Sequence, residues 1–146
     1  MFWTTKFFTT SEEKRIMSVI REAEKGTSGE VRLYVESLCS KPTHERTLEV
    51  FKKLKMHLTK ERNAVLIYIA KKDKKFAVFG DEGIHQKVGN SFWKEEAMML
   101  KNHLQNDAIT EGVCEVVTSI GLKLKDLFPD DTEGSNQLSD KPVYGK

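Results

Sequence analysis

The sequence has few cysteines, few prolines and no long apolar run, and each shortage argues against a class of protein. Its two cysteines, Cys39 and Cys114, form no CxxC motif and no His/Cys cluster at zinc spacing, so neither a disulfide framework nor a structural zinc site is expected. No apolar run approaches the roughly 18 residues of a membrane span. The first residues lack the order of a signal peptide, a basic region followed by a sustained apolar one. These features predict a cytoplasmic protein.

Signatures of nucleotide binding and of nucleophilic catalysis are missing as well. The chain has no GxGxxG motif and no P-loop, and its four histidines are scattered without a serine or cysteine nucleophile at a recognisable spacing. A net charge of +2 is too mild for a dedicated nucleic-acid binder. With 146 residues, 38% of them hydrophobic, the chain is long enough for one domain with its own core. We expect a monomer that does not bind nucleic acid.

The segment from Glu61 to Gly83 predicts a β-hairpin. Residues 65–70 form a short apolar run rich in β-branched and aromatic residues, residues 71–74 a polar turn, and residues 75–79 a returning strand. Upstream, residues 30–36 alternate between apolar and polar side chains, which predicts a strand with one polar face and makes it a candidate edge strand.

Helical periodicity accounts for most of the remaining chain. Residues 48–58 predict an amphipathic helix that connects the alternating strand to the hairpin, so these strands should run parallel in a βαβ unit. Further helices are predicted from Thr10, with a capping box formed by Thr10 and Glu13, and over residues 92–104 and 109–127. The fold class is therefore α/β. Residues 130–146 are polar and predict a flexible tail that docks locally at most.

Strand direction predicts a site at one edge of the sheet. If the first two strands are parallel and the third returns, Glu30, Asn63 and Asp81 meet at the same edge, with Arg62 and Glu82 beside them. Carboxylate and amide oxygens are the ligands that Ca²⁺ and Mg²⁺ prefer, so Glu30, Asn63, Asp81 and Glu82 are the candidate metal ligands. Arg62 and the backbone at Gly83 could hold a phosphate or carboxylate, and metal-assisted hydrolysis would be coherent there. Helix capping and pairing with arginine are the structural alternative for these carboxylates.

Residues 41–75 are locally basic. They contain eleven lysines and arginines against four acidic residues. A solvated helix face and hairpin tip would explain this bias, and an anionic membrane surface or a protein partner is the functional alternative.

Several of these segments resemble the TPM domain family, which is described as phosphatase-like. The resemblance covers about residues 7–129 and rests on TSGEVRLYVE (27–36), on RNAVLIY and FGDEGI in the hairpin segment, on Phe92-Trp93 and on the closing helix before Phe128-Pro129. It implies a three-layer α/β/α sandwich around a small mixed sheet, with residues 1–129 as the TPM domain and 130–146 as its tail. The tail is similar to those of short bacterial members.

The resemblance also implies a function. Some members bind Ca²⁺ or Mg²⁺ in loops at one end of the sheet, and phosphatase activity has been attributed to plant members. The positions that correspond here are Glu30, Asn63 and Asp81, with Arg62 nearby. Two hypotheses follow. The first is a divalent-cation-binding domain with weak metal-dependent phosphomonoesterase activity. The alternative is a non-enzymatic interaction module for the assembly or repair of a membrane-linked complex, with the basic 41–75 surface as its contact.

Overall fold

In a computed structural model, which describes residues 7–130 and 140–145, four helices surround a four-stranded sheet. The helices are α1 (Thr10–Glu24), α2 (Thr43–Lys53), α3 (Glu82–Gln105) and α4 (Ile109–Leu127), and a 3₁₀ turn (Met56–Leu58) follows α2. The strands are β1 (Glu30–Glu36), β2 (Ala64–Ala70), β3 (Lys75–Gly80) and β4 (Val143–Tyr144). The predicted hairpin is confirmed and each predicted helix is present, although α2 spans Thr43–Lys53 and not residues 48–58. Gly89 has a φ of 77° and interrupts α3, which therefore consists of two helical segments.

The sheet is mixed, with the strand order β3-β2-β1-β4. β1 and β2 are parallel, and Glu30 lies opposite Ala64 at their first residues. β3 returns antiparallel to β2, with Val65 opposite Gly80. The predicted strand directions are therefore confirmed, and the start of β1, the start of β2 and the end of β3 lie at one edge of the sheet.

Each face of the sheet is covered by a separate apolar cluster. On one face, α1, α3 and α4 pack on the odd-numbered side chains of β1 and β2, with residues such as Ile16, Leu33, Ile67 and Val117 buried. On the other face, α2 and the 3₁₀ turn cover the even-numbered side chains with Val50, Phe51 and Met56. This arrangement is the predicted α/β/α sandwich.

Three local predictions are wrong. β1 is not an edge strand, because it lies between β2 and β4. Its polar side chains Glu30 and Glu36 are buried, and Glu36 contacts Arg46 of α2. The capping box begins one residue earlier than predicted, since the side chain of Thr9 accepts from the Glu12 N–H and Glu12 accepts from the Thr9 N–H. Leu58 is not part of the buried stripe, because the chain leaves α2 at Lys53 and the 3₁₀ turn directs Leu58 to solvent.

The end of the predicted tail contributes β4, which pairs with β1 in parallel, Tyr34 opposite Val143. Residues 131–139 and 146 of that tail lie outside the described residues, so the flexibility of the tail stays a prediction. In the described part of the chain, no helix is both long enough and apolar enough to cross a bilayer. The cytoplasmic location and the monomeric state also stay predictions.

Candidate functional site

The site is organised by one row of residues across three strands. Glu30 is the register partner of Ala64, and the Asp81 N–H donates to the Ala64 carbonyl at 3.0 Å. Strands lie about 4.8 Å apart, which places the Cα atoms of Glu30 and Asp81 roughly 10 Å from one another. Ala64 lies between Glu30 and Asp81, and its small side chain leaves space between the two acidic side chains. Both carboxyl groups are nearly inaccessible to solvent, at 2% and 4% exposure.

Asp81 has two structural roles. It is the N-cap of α3, where its Oδ1 accepts from the Glu82 N–H at 2.8 Å. Arg62 also donates to it twice, from Nε to Oδ2 at 2.6 Å and from Nη2 to Oδ1 at 2.9 Å. A carboxylate has about four lone-pair positions, so these three hydrogen bonds leave one for a further partner. Helix capping and pairing with arginine therefore account for most of the contacts of this carboxylate.

Asn63 lies directly before β2 and is 1% exposed. Its Nδ2 donates to Ser28 Oγ at 3.0 Å, and Ser28 Oγ donates in turn to Glu61 Oε2. Because Ser28 uses its proton on the carboxylate, it must accept from Asn63, which fixes the orientation of the amide. Among the described residues, the buried Oδ1 of Asn63 has no hydrogen-bond partner. A buried acceptor without a protein partner is costly, so this oxygen is available to accept from a water or to ligate an ion.

Glu30 adjoins a second carboxyl group, that of the half-buried Glu24 at the end of α1. Glu24 Oε2 accepts from the Val31 N–H at 2.8 Å. Burial, a hydrogen bond with Asp140 and the charge of Glu30 together raise the pKa of Glu24. A raised carboxyl pKa means that the ionised form is disfavoured, and a nearby cation would reverse that preference.

Gly83 brings the first turn of α3 close to the loop before β2. A Cβ at Gly83 would lie 2.1 Å from the Glu61 carbonyl oxygen and 2.5 Å from that of Arg62, so no larger residue fits. The Gly83 N–H donates to the Arg62 carbonyl at 2.8 Å and is directed at the backbone. Its predicted role in anion binding stays a prediction.

The remaining predicted ligand, Glu82, lies at the outer rim. Its side chain is 62% exposed, and its Oε1 is 3.2 Å from Arg62 Nη1. Across residues 7–130 and 140–145, no three His, Cys, Asp or Glu side chains are grouped so that they could hold a metal ion. A cation at this edge would therefore depend on amide, carbonyl and water oxygens together with one or two carboxylates.

Sequence reasoning missed Ser28, Glu61 and Glu24. Ser28 and Glu61 belong to the two loops that precede the parallel strands, so the same directional argument applied to loop residues would have found them. Glu24 had no such signal, because it reads as an ordinary polar residue near the end of α1.

Comparison with known proteins gives three results. The sequence profile of the TPM domain matches residues 2–123. The fold is similar to the NMR structure of the BA42 protein from the psychrophilic bacterium Bizionia argentinensis, with 34% sequence identity, 99% of this chain and 100% of that chain covered, and a TM-score of 0.89. It is also similar to the N-terminal domain of the cg2496 protein from Corynebacterium glutamicum, with 10% identity, 89% and 79% covered, and a TM-score of 0.64, which shows the fold alone. A search of curated proteins found no match.

Proposed function

Because the chain belongs to the TPM domain family, we propose that it is a TPM domain that binds a divalent cation, Ca²⁺ or Mg²⁺, at the edge where β1 and β2 begin. The observation that carries the proposal is the buried Oδ1 of Asn63, which has no hydrogen-bond partner among the described residues and whose amide cannot turn without breaking the bond to Ser28. A hard cation would satisfy that oxygen.

The donor set favours weak binding. Asn63 would supply an amide oxygen and Glu30 a carboxylate oxygen. Asp81 would supply the one lone pair that is not used by Arg62 or by the N-cap hydrogen bond to Glu82. Glu82 could add a carboxylate from the rim. Cation affinity in such sites rises with the number of charged ligands and with the rigidity of the site. Here the charged ligands are few, and the positive charge of Arg62 beside Asp81 repels a cation. Ca²⁺ tolerates irregular oxygen sets better than Mg²⁺, which demands near-ideal octahedral geometry. We therefore expect a preference for Ca²⁺.

A calcium titration followed by backbone amide chemical shifts tests the site. We expect shifts concentrated in residues 28–31, 61–64 and 80–84. Asn63→Ala should weaken binding at least about tenfold, since it removes a neutral ligand from a site with few others. Asn63→Asp, which keeps the shape and adds a charge, should retain or strengthen binding.

Asn90→Ala is the matched control, because Asn90 is an exposed asparagine on α3 away from this edge. Shifts that cluster elsewhere, or equal affinity in Asn63→Ala and Asn90→Ala, would reject the site. If Asn63→Ala fails to fold, the affinity of Asn63→Asp decides the question.

Weak phosphomonoesterase activity is the enzymatic extension of this proposal. A bound cation would polarise a phosphoryl oxygen, and Arg62, 41% exposed and adjacent to the same edge, is placed to orient the phosphate. Hydrolysis of p-nitrophenyl phosphate should then require Ca²⁺ or Mg²⁺ and be lost in Asp81→Asn, a variant that retains a helix-capping side chain. If calcium binds as expected but no hydrolysis is detected, the phosphomonoesterase activity is rejected and the proposed cation site is not.

The interaction module remains the second candidate, and charges on the α2 side favour it. Arg46 and Arg62 of the basic region are held in ion pairs. The four lysines at the end of α2 and in the segment before β2 form none with the described residues: Lys52, Lys53, Lys55 and Lys60. Binding to vesicles with anionic lipid, but not to neutral ones, should weaken with salt and in Lys52→Gln/Lys53→Gln. Equal binding to both kinds of vesicle would contradict an electrostatic contact.

A further inference from the structure

A groove lies at the other end of the sheet, between the β2–β3 turn and the α3–α4 turn. It has a volume of about 770 Å³. β2 spans seven residues, and at about 3.3 Å per residue the groove is roughly 20 Å from the start of β2, where the proposed cation site lies. The groove is therefore a separate feature. Its size falls in the range of about 300–1,000 Å³ that is typical of small-molecule sites.

The rim of the groove is strongly positive. Four lysines line it against one acidic residue, Asp107: Lys71, Lys74, Lys75 and Lys101. None of the four forms an ion pair with a described residue. Lys75 donates weakly to the Cys39 carbonyl at 3.4 Å. α4 begins beside the same groove, and its N-cap is Ala108, which has no side-chain acceptor to offer the first N–H groups of the helix.

One acidic side chain near the rim is already satisfied. Glu12 accepts hydrogen bonds from the Thr9 N–H and the Thr110 hydroxyl, and these bonds, together with the charge of Lys71, lower its pKa. Lys71 is therefore partly balanced within the protein. The Lys75 ammonium is directed at Cys39 on the α2 side of the sheet, so the charge available to a ligand comes from Lys74 and Lys101.

The floor of the groove is apolar and mainly aliphatic. Its accessible part consists of the half-buried side chains of Phe76, Leu104 and Ile109. Ile69 lies fully buried beneath them, and Ala70 belongs to the cluster on the opposite face of the sheet. Ile69 and Phe76 are register partners in the hairpin, so the floor is built on paired strands and is rigid. A nucleobase stacks on aromatic side chains, and Phe76 is the one aromatic residue among the lining residues of this groove. An aliphatic floor beneath a cationic rim fits a ligand with an acyl chain and an anionic head.

We propose that this groove binds a long-chain carboxylate, a fatty acid whose chain lies on the floor formed by Phe76, Leu104 and Ile109 and whose carboxylate is held by Lys74 and Lys101. The lysine stems extend the apolar surface and keep their ammonium groups at the rim. Selectivity then has two parts, one for the length of the chain and one for the negative head group.

Titration with octanoate, decanoate and dodecanoate below their micelle-forming concentrations tests both parts. Each pair of added methylenes should tighten binding by roughly tenfold while the floor is being covered. Amide shifts should map to residues 69–76 and 101–109. Lys74→Gln/Lys101→Gln should weaken dodecanoate binding by roughly tenfold or more, since charged hydrogen bonds are lost. Dodecanol, which lacks the charge, should bind the native chain as weakly as dodecanoate binds this variant.

Lys72→Gln is the matched control, because Lys72 is an exposed lysine of the same turn that does not line the groove. Its affinity for dodecanoate should equal that of the native chain. The proposal is overturned if affinity does not depend on chain length, if Lys72→Gln weakens binding as much as the double variant, or if the shifts map to another surface. Equal loss in both variants would instead indicate a diffuse basic surface.

Discussion

The position of Arg62 determines how much of the Asp81 carboxylate is left for another partner. Arg62 has a φ of 53°, a left-handed conformation that is unusual for a residue other than glycine. It precedes β2, and its guanidinium donates hydrogen bonds to both carboxylate oxygens of Asp81. Most of the lone pairs that a cation would need are therefore already used. The sequence places Arg62 and Asp81 at the same edge. Pairing with arginine is one of two alternatives for this carboxylate, and the sequence pattern does not choose between that pairing and a metal ligand.

Arg62→Gln is therefore expected to strengthen cation binding. The substitution removes a positive charge next to the proposed site and frees Asp81 oxygens, so calcium affinity should rise by roughly threefold to tenfold. The calcium titration measures it. Lys60→Gln removes the same formal charge from an exposed neighbour that forms no ion pair with the described residues, and it should change the affinity much less. Unchanged or weaker binding in Arg62→Gln would mean that Asp81 is not a ligand.

At the scale of elements, α2 is attached to the sheet by a buried ionic contact as well as by apolar packing. Glu36 at the end of β1 accepts from Arg46 Nε and Nη2, both at 2.9 Å, and from the Tyr68 hydroxyl. Tyr34 and Tyr68 stack beside it with centroids 6.1 Å apart. Alternation of Glu, Arg and Tyr along β1 is typical of a solvated face. The alternation was misleading because Arg46 of α2 pairs with Glu36 and allows its charge to be buried. The pattern within β1 carries no information about α2.

Arg46→Ala is expected to destabilise the protein by about 3–5 kcal/mol, since it leaves the buried Glu36 carboxylate without its cation. Although burial alone would raise the pKa of Glu36, the hydrogen bonds from Arg46 and Tyr68 keep it below its usual value of 4.5. In the native chain this group therefore contributes stability above that pH, and the contribution is lost as pH falls through the lower folded pKa. Without Arg46 the carboxyl pKa should rise, so the deficit of the variant should shrink as pH is lowered toward 4.5. Chemical denaturation at several pH values measures this.

Two further variants identify the cause of that loss. Arg46→Ala/Glu36→Gln removes the stranded charge and should recover part of the stability of Arg46→Ala at pH 7. Lys41→Ala breaks an exposed ion pair with Glu49 and should cost no more than about 1 kcal/mol. If Lys41→Ala and Arg46→Ala cost the same, the contact of α2 with β1 is not held by the buried pair.

At the scale of the whole molecule, the carboxy-terminal segment completes the sheet. Tyr144 of β4 stacks on Phe7 with centroids 6.0 Å apart, and its hydroxyl donates to Glu13 Oε2 at 2.5 Å. The Gly145 N–H donates to the Val35 carbonyl at 2.7 Å. Val143 and Tyr144 are two of the few apolar residues in a polar segment. Their partner strand is more than 100 residues away, so local sequence patterns identify the segment but not its place beside β1.

A chain ending at residue 139 should expose the outer edge of β1. We expect it to lose about 2–3 kcal/mol of unfolding free energy, from the aromatic burial and the strand hydrogen bonds that disappear. An uncovered edge strand also pairs with other chains, so the shortened protein should associate as its concentration rises. Denaturation and light scattering measure the two effects. Tyr144→Phe, which loses only the hydroxyl bond to Glu13, should cost about 1 kcal/mol and leave the protein dispersed. An unchanged denaturation midpoint and unchanged hydrogen exchange in β1 after the truncation would show that β4 does not protect this edge.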